Sequence, residues 1–561
     1  MNTFNAALRA HGCGDLRTAE ARYLSTLAKN SKHVDALRML GLLYHQQGKV
    51  SLSESFLQRA AGLSPDDAML LFDLGVVCKQ NGKLERAIHW LGRAVACAPT
   101  LTAAHACLGE AYLAVGRVDA ALDSFRLAVR QDPSDVLALN QLGSALHEVE
   151  LPHEALAAFR CALALNRDSL AARLGAGTSM CAVEDYESAI GQFEAAIALD
   201  DQCAPAWYNL GCCRLGLGQY DAAVEAFTRV LGLHPGWAAA HLNRALAWLS
   251  AGDFERGLPE YEWRLGAIDK DFDSAPPRWD GSPLADKVLL IYAEQGLGDT
   301  VHFIRFVPSA RALADKLILQ VQPAILPLIE PLAAQWDITI VDADSEVPAD
   351  VSCPLMSLPH ILGVSLATLS ATPLRAPLTA PPAATPYIQV PNAYREKWRG
   401  RLNHLGRRKI GLAWLGHRRT YDIRQIPAAT LEPLFAMESV DWVVLQTDLS
   451  EADRQYLEVS PYADRIHVYQ DQIADLADTA ALIEQLDAVA SVDTSIAHLA
   501  GAMQAPLLVM LPFSADWRWR IDTHASRWYP SARLLRQDCP GDWSSVVNQV
   551  ATMLSAGPRP Q

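Results

Sequence analysis

No stretch of the sequence approaches about 18 consecutive apolar residues, so a transmembrane helix is not expected. The opening segment, Met1 to Ala10, is polar and helix-like and lacks the apolar run of a signal peptide. The eleven cysteines form no CxxC and no Cys/His ligand spacing, and Cys212 and Cys213 are adjacent, which is poor geometry for a staple. Reduced thiols, no zinc site and a cytoplasmic location are therefore expected. Base is scarcer than acid: 48 Lys and Arg stand against 63 Asp and Glu, a net charge of −15. Both sides of residue 275 are mildly acidic, which argues against nucleic acid as the main partner, because phosphate neutralisation needs a basic face. What is abundant is apolar side chain, 50% of the chain, against 20% charged. That is enough to bury cores, and it excludes disorder over most of the 561 residues. The length allows about three to five domain-sized units.

The first half is periodic. Gly41, Gly75, Gly109, Gly143, Gly177 and Gly211 follow one another at intervals of 34 residues, and five of them follow a leucine. A second register runs through Ala87, Ala121, Ala155, Ala189 and Ala223. Four residues after each stands a large apolar side chain: Leu91, Phe125, Phe159, Phe193 and Phe227. Pro65, Pro99, Pro133 and Pro235 close several units. Small residues let two helices approach, the aromatic fills the gap, and proline cannot continue the helix. The pattern resembles the tetratricopeptide repeat, in which helix pairs stack into a solenoid. Six registered units run from Val34 to Trp237, with partial units at Ala19 and Tyr23 before them and at Tyr261 after.

Such stacks offer a concave groove for a protein or peptide. Asp73, Gln141, Asn209 and Asn243 share one repeat position, two before the glycine, and form a candidate ladder for holding an acceptor backbone; Met39 and Cys107 interrupt it.

After Asp271 the period changes. Ala275-Pro276-Pro277-Arg278-Trp279 reads as linker, within a predicted boundary segment of residues 272–286. Strands are predicted at Lys287–Tyr292, Leu317–Val321 and Ile338–Val341. A Pro- and Ala-rich segment, Ala371 to Pro386, separates them from strands at Lys409–Trp414, Trp442–Gln446, Ala488–Val492 and Pro506–Leu511. Strands alternating with helices imply parallel α/β sheets. The predicted layout is a solenoid over residues 1–271, then two Rossmann-like halves over 287–385 and 386–561, with ligands at the carboxyl ends of the strands.

Three motifs stand at such ends. Gly296-Leu297-Gly298-Asp299-Thr300 follows the first strand: its glycines permit close approach of a ligand, and Asp299 is either a general base or a helix cap. Asp493-Thr494-Ser495-Ile496-Ala497-His498 opens a helix after another strand. There Thr494 and Ser495 would face an anion, Asp493 a sugar hydroxyl, and His498 a phosphate, with capping and packing as the alternatives. Between Arg395 and Arg424 lie ten basic residues and two acids, and the loop from Gly416 to Arg424 follows the first strand of the second half. Arg418 and Arg424 are the preferred diphosphate contacts. Trp517-Arg518-Trp519-Arg520 and Trp528-Tyr529 read as packing more than as sugar stacking, and Asp342-Ala343-Asp344 as loop polarity.

Together these residues resemble bacterial proteins that join tetratricopeptide repeats to a glycosyltransferase of the GT-B fold. The C-terminal half is similar to the heptosyltransferase family (family 9). It is more distantly similar to O-linked N-acetylglucosamine transferases, and flagellin glycosyltransferases share the layout. The resemblance implies that Asp299 is the catalytic acid-base residue and that Asp493, Thr494 and His498 belong to the donor site. It also implies that Arg418 or Arg424 binds phosphate. It implies metal-independent transfer with a nucleotide sugar as donor substrate and no bound cofactor. The acidic residue that heptosyltransferases carry after the next strand has no counterpart; Gln446 or Asp448 stands there. The expected function is sugar transfer from a nucleotide sugar to a protein hydroxyl. The repeats would recruit the acceptor protein, with flagellin one candidate. The alternatives are a glycan acceptor, or a repeat scaffold whose transferase domain is degenerate.

Overall fold

Each period folds into a helix pair, and the small residues explain how. A Cβ added to Gly109 would lie 2.8 Å from the ring of Phe125, and one on Gly143 equally close to Phe159. On Gly177 it would stand 2.6 Å from Phe193. The aromatic of each pair's second helix therefore seats on the bare backbone of its own first helix. Asp67 and Asp135 cap first helices by accepting from two backbone N–H groups each.

The computed structural model describes residues 3–267, 276–365, 386–416, 423–520 and 524–555, and the chain divides into two units, Met1–Asn209 and Leu210–Gln561. The first unit is an α-solenoid that begins with the helices α1 (Thr3–Gly12) and α2 (Leu16–Lys29). The flanking repeats, read from the sequence as partial, are complete pairs: Ala19 and Tyr23 are fully buried in α2, and helices Ala238–Ala251 and Phe254–Tyr261 form the last pair.

The turn inside each pair needs a left-handed residue. Positive φ occurs at Gly14, Gly48, Gly82, Gly116, Glu150, Glu184, Gly218 and Gly252, again at intervals of 34. Six are glycine; Glu150 and Glu184, each at φ 60°, adopt a conformation that costs an L-residue about 1–2 kcal/mol.

In the second unit, two parallel sheets follow the last helix pair. The four-stranded sheet comprises β1 (Leu284–Tyr292), β2 (Ala314–Val321), β3 (Thr339–Asp342) and β4 (Val351–Pro354), in the order β3-β2-β1-β4. The six-stranded sheet comprises β5 (Arg408–Ala413), β6 (Val440–Val444), β7 (Ile466–Val468), β8 (Ala488–Val492), β9 (Leu507–Leu511) and β10 (Ala532–Arg536), in the order β10-β9-β8-β5-β6-β7. Both orders reverse direction beside their first strand, between β1 and β4 and between β5 and β8. This is the doubly wound pattern of two Rossmann-like halves. β4, β7 and β10 were not expected from the sequence, and β5 ends at Ala413, one residue before the predicted Trp414.

The segment predicted as the first linker is partly structural. Leu284 to Asp286 already belong to β1, and Pro277 to Trp279 lie along the edge of β4, with Trp279 N–H donating to Ser352 O and Ser352 N–H to Pro277 O, both at 2.8 Å. The Trp279 side chain is buried in a core that also takes in Phe254, Leu258 and Tyr261 of the last helix pair. Most of the predicted second linker, residues 371–385, lies outside the described residues.

Arg264, just after the last pair, is buried against Glu294 at the end of β1, at 2.8 Å; both side chains are 1% exposed or less. Ser357 Oγ accepts from Arg264 at 2.8 Å and donates to Glu262 at 2.7 Å. Burial raises the Glu294 carboxyl above its ordinary value, against the pull of Arg264. Among the described residues, no helix is long and apolar enough to cross a membrane.

Candidate functional site

The two glycine-rich motifs meet. β1 leads into the helix Leu297–Phe303 and β8 into the helix Ser495–Ala502, each at its sheet's switch point. A Cβ on Gly298 would lie 3.1 Å from His498 Cδ2 and 3.3 Å from Ser495 Cα. Gly298 thus lets the start of one helix approach the start of the other. Two positive helix ends brought together repel, and anions between them relieve the repulsion. The carboxylates of Asp299 and Asp493 are in place to do so.

Asp299 uses both oxygens. Oδ2 accepts from Gly296 N–H at 3.2 Å, capping its helix, and Oδ1 pairs with the Arg518 guanidinium at 2.5 Å. Thr300 Oγ1 donates to Gln322 Oε1 at 2.9 Å, and Gln322 Nε2 donates to Gln295 O at 2.6 Å, which fixes the turn.

Arg518 lies in the turn Trp517–Trp519 after β9, with its side chain 7% exposed. Its second nitrogen pairs with Asp516 at 2.9 Å, its guanidinium lies 5.1 Å from the centre of the Phe303 ring, and its Nε is buried with no hydrogen-bond partner. Burial opposes the charge, yet Asp516 and Asp299 hold the guanidinium above its ordinary range.

Asp493 is buried, with Oδ1 3.6 Å from His498 Nε2. Burial alone would raise its pKa; His498 and then Arg518 hold it below the usual carboxylate value. Burial raises the Asp516 carboxyl. Arg424 donates to Asp493 O at 3.2 Å, which brings the predicted basic loop to this helix start. Arg418 lies outside the described residues. Thr494 is the N-cap residue without a side-chain cap bond; its hydroxyl meets Ser491 Oγ at 3.1 Å. Ser495, half-buried, opens the helix.

His498 is packed among protein groups, the alternative kept open for it. Its ring is 4% exposed, stacks on Trp519 at 5.3 Å, and turns Nδ1 to Tyr529 Oη at 2.9 Å and Nε2 toward Asp493. Both ring nitrogens face protein groups. The same Tyr529 hydroxyl lies 2.9 Å from Nδ1 of His302, which is fully buried and whose Nε2 has no partner. The arrangement with fewest unmet donors has His302 Nδ1–H donating to Tyr529 Oη and Tyr529 O–H donating to His498 Nδ1. Burial first, then Arg305, lowers His302 well below its ordinary value, and burial raises Tyr529 well above its own.

Sequence reasoning took Arg518 and Tyr529 for packing residues and missed Asp516 and His302. A signal existed for His302: it stands one turn into its helix after an Asp-Thr pair, as His498 does after Asp493-Thr494. Trp517, Trp519, Trp528 and Tyr529 are core residues.

The groove ladder is tied within the repeats. Asp73 pairs with Arg38 at 2.7 Å, Gln141 Nε2 donates to Glu110, and Asn243 Nδ2 lies 3.5 Å from Cys212 Sγ; Asn209 is half-buried. Asp342 accepts from Asp344 N–H and from Ser345 Oγ, both at 3.0 Å, closing its own turn. Among the described residues, no group of three or more His, Cys, Asp or Glu could hold a metal ion.

The first helices match models of the tetratricopeptide repeat over residues 4–68, 53–101 and 107–169, and a further match covers residues 204–236. The helix pairs are tetratricopeptide repeats. The chain is also 29% identical over 322 residues to Protein FlbA of Caulobacter vibrioides (strain ATCC 19089 / CIP 103742 / CB 15), covering 53% of this chain and 52% of that protein. The chain thus spans about half the length of the curated relative it matches. Among solved structures, the tetratricopeptide-repeat protein YrrB, described as having an unusual peptide-binding site, is 23% identical over 33% of this chain and 95% of its own, with a TM-score of 0.30. A tetratricopeptide repeat protein from Parabacteroides merdae is 18% identical over 43% of this chain and 94% of its own, with a TM-score of 0.36.

Proposed function

We propose that this protein is a glycosyltransferase that moves a sugar from a nucleotide sugar to a protein hydroxyl, with the tetratricopeptide repeats recruiting the acceptor. One observation carries the reading: the strand-to-helix turns at the switch points of two Rossmann-like halves abut, and they bring Asp299, Asp493, Thr494, Ser495 and Arg424 to one place. Ligands of doubly wound sheets bind at such points. Arg424, with Arg418 of the same loop, and the backbone N–H groups at Ser495 would stabilise charge on the departing diphosphate. Asp493 would accept from a sugar hydroxyl, and Asp299 would take the proton of the acceptor hydroxyl. The transfer in view needs no metal ion and no bound cofactor.

A second reading, a repeat scaffold with a silent transferase domain, draws support from Asp299, whose two oxygens are both engaged. Thermal shift of the full chain against nucleoside diphosphates and nucleotide sugars separates the two. A donor-site ligand raises the melting temperature by mass action. A flat response across UDP, GDP, ADP, CMP and their common sugar derivatives would leave the scaffold reading standing.

A further inference from the structure

Among the described residues Arg518 is the cation paired with Asp299, and the pairing is costly. A guanidinium taken out of water must be repaid by good partners. Two of its nitrogens are repaid, by Asp299 at 2.5 Å and Asp516 at 2.9 Å, while Nε–H is buried with nothing to bond. Around it stand three carboxylates, because Asp493 also feels its charge. Asp493 stands just before the start of the Ser495–Ala502 helix, where a diphosphate is a natural anion, and Asp299 lies on the helix that abuts it. The carboxylates hold the place of the anion that the helix ends and the arginine would otherwise bind.

Resting on the transferase reading, we propose that Arg518 exchanges partners during the reaction, leaving Asp299 for the diphosphate of the donor and so releasing Asp299 Oδ1 to serve as the base. A guanidinium binds a diphosphate through paired N–H donors, and its idle Nε–H gains a partner in the exchange. Asp516 remains on the other side as its anchor. The freed Oδ1 then accepts the proton of the acceptor hydroxyl while that oxygen bonds to the anomeric carbon. The bond from the anomeric carbon to the diphosphate oxygen breaks, and its electron pair leaves on the diphosphate, where Arg518 waits. The base is thus engaged until the donor is bound.

The exchange makes Asp299 and the diphosphate competitors for one guanidinium, which a double-mutant cycle detects. Binding of UDP, GDP, ADP and inorganic pyrophosphate to the full chain would be measured by calorimetry, with the fluorescence of Trp517 and Trp519, which flank Arg518, as a second reading. Asp299→Asn should tighten diphosphate binding by about fivefold or more, the size of an ordinary coupling between sites. In the Arg518→Gln background the same change should have no effect, because the contested cation is gone. Equal tightening in both backgrounds means a through-space charge effect and overturns the proposal. No tightening by Asp299→Asn in the unaltered background overturns it too. Should Arg518→Gln not fold, as judged by its melting curve, Arg518→Lys takes its place: a point charge without the fork should bind diphosphate more weakly and shrink the Asp299→Asn effect, and an undiminished effect overturns the exchange. Failure of the unaltered protein to bind any diphosphate sinks the transferase reading and this proposal together, whereas binding without the Arg518 dependence sinks this proposal alone.

Discussion

A phenylalanine resting on a glycine is the smallest unit of this fold, and it leaves no room for a methyl group. Gly109→Ala would place a Cβ 2.8 Å from the Phe125 ring, closer than real contacts allow. The ring must shift, and a loss of about 1–3 kcal/mol in urea unfolding is expected. Glu184→Gly should act the other way. It relieves a left-handed glutamate at φ 60° whose carboxyl is also raised by burial, and a gain of up to about 1 kcal/mol is expected. A lower melting temperature for Glu184→Gly would contradict the strain. The glycine–aromatic spacing was legible in the sequence because both residues recur without much interruption. The turn register was not read, because glutamate takes the place of glycine in two successive repeats.

Among the elements, the strand ends repay the closest reading. In the sequence Glu294 flanks a glycine turn and Arg264 follows the last repeat. Their burial against each other was not legible, since 30 residues separate two side chains that each look like surface. Glu294→Ala leaves a buried guanidinium with Glu262, Ser357 and the Tyr261 carbonyl but without its buried carboxylate, and a loss of about 3–5 kcal/mol is expected in denaturant unfolding. Glu294→Ala as stable as the parent would show that Glu262 suffices. The long apolar strands β1, β5, β8 and β9 were legible from their runs of Val, Leu, Ile and Ala. β4 and β7 were not, because Ser352 and Pro354 interrupt the four residues of one and His467 the three of the other, leaving no apolar run.

At the scale of the whole molecule, pH and turnover test different parts of the second unit. His302 has a folded value well below 6.5, so the unfolded chain binds a proton that the fold refuses. Stability should therefore fall as pH drops through about 6.5, by up to about 1.4 kcal/mol per pH unit, until the buried imidazole itself protonates. His302→Gln should flatten that slope between pH 6.5 and 5.5; an unchanged slope would place its origin elsewhere. For turnover, Asp299→Asn should lower sugar transfer about 10²–10⁴-fold while nucleotide binding survives, as initial rates and calorimetry would read. Near-normal transfer by that variant removes Asp299 from the chemistry. The candidate site was half legible. Motif spacing gave Asp299 and the Asp493 turn, but Arg518 is brought to Asp299 from 219 positions away by the fold alone.

The two strained turns have a kinetic consequence. Stacked repeats hold only their neighbours, so such an array opens at its weakest link. Glu150 and Glu184 put that link in the last two complete helix pairs of the first unit. In native-state amide exchange, the helices beside these two turns, Val136–Glu148 through Tyr186–Leu199, would lose protection before the glycine-turned repeats on their N-terminal side. The first unit would then breathe from its last two pairs, at the two places where a glutamate does the work of a glycine.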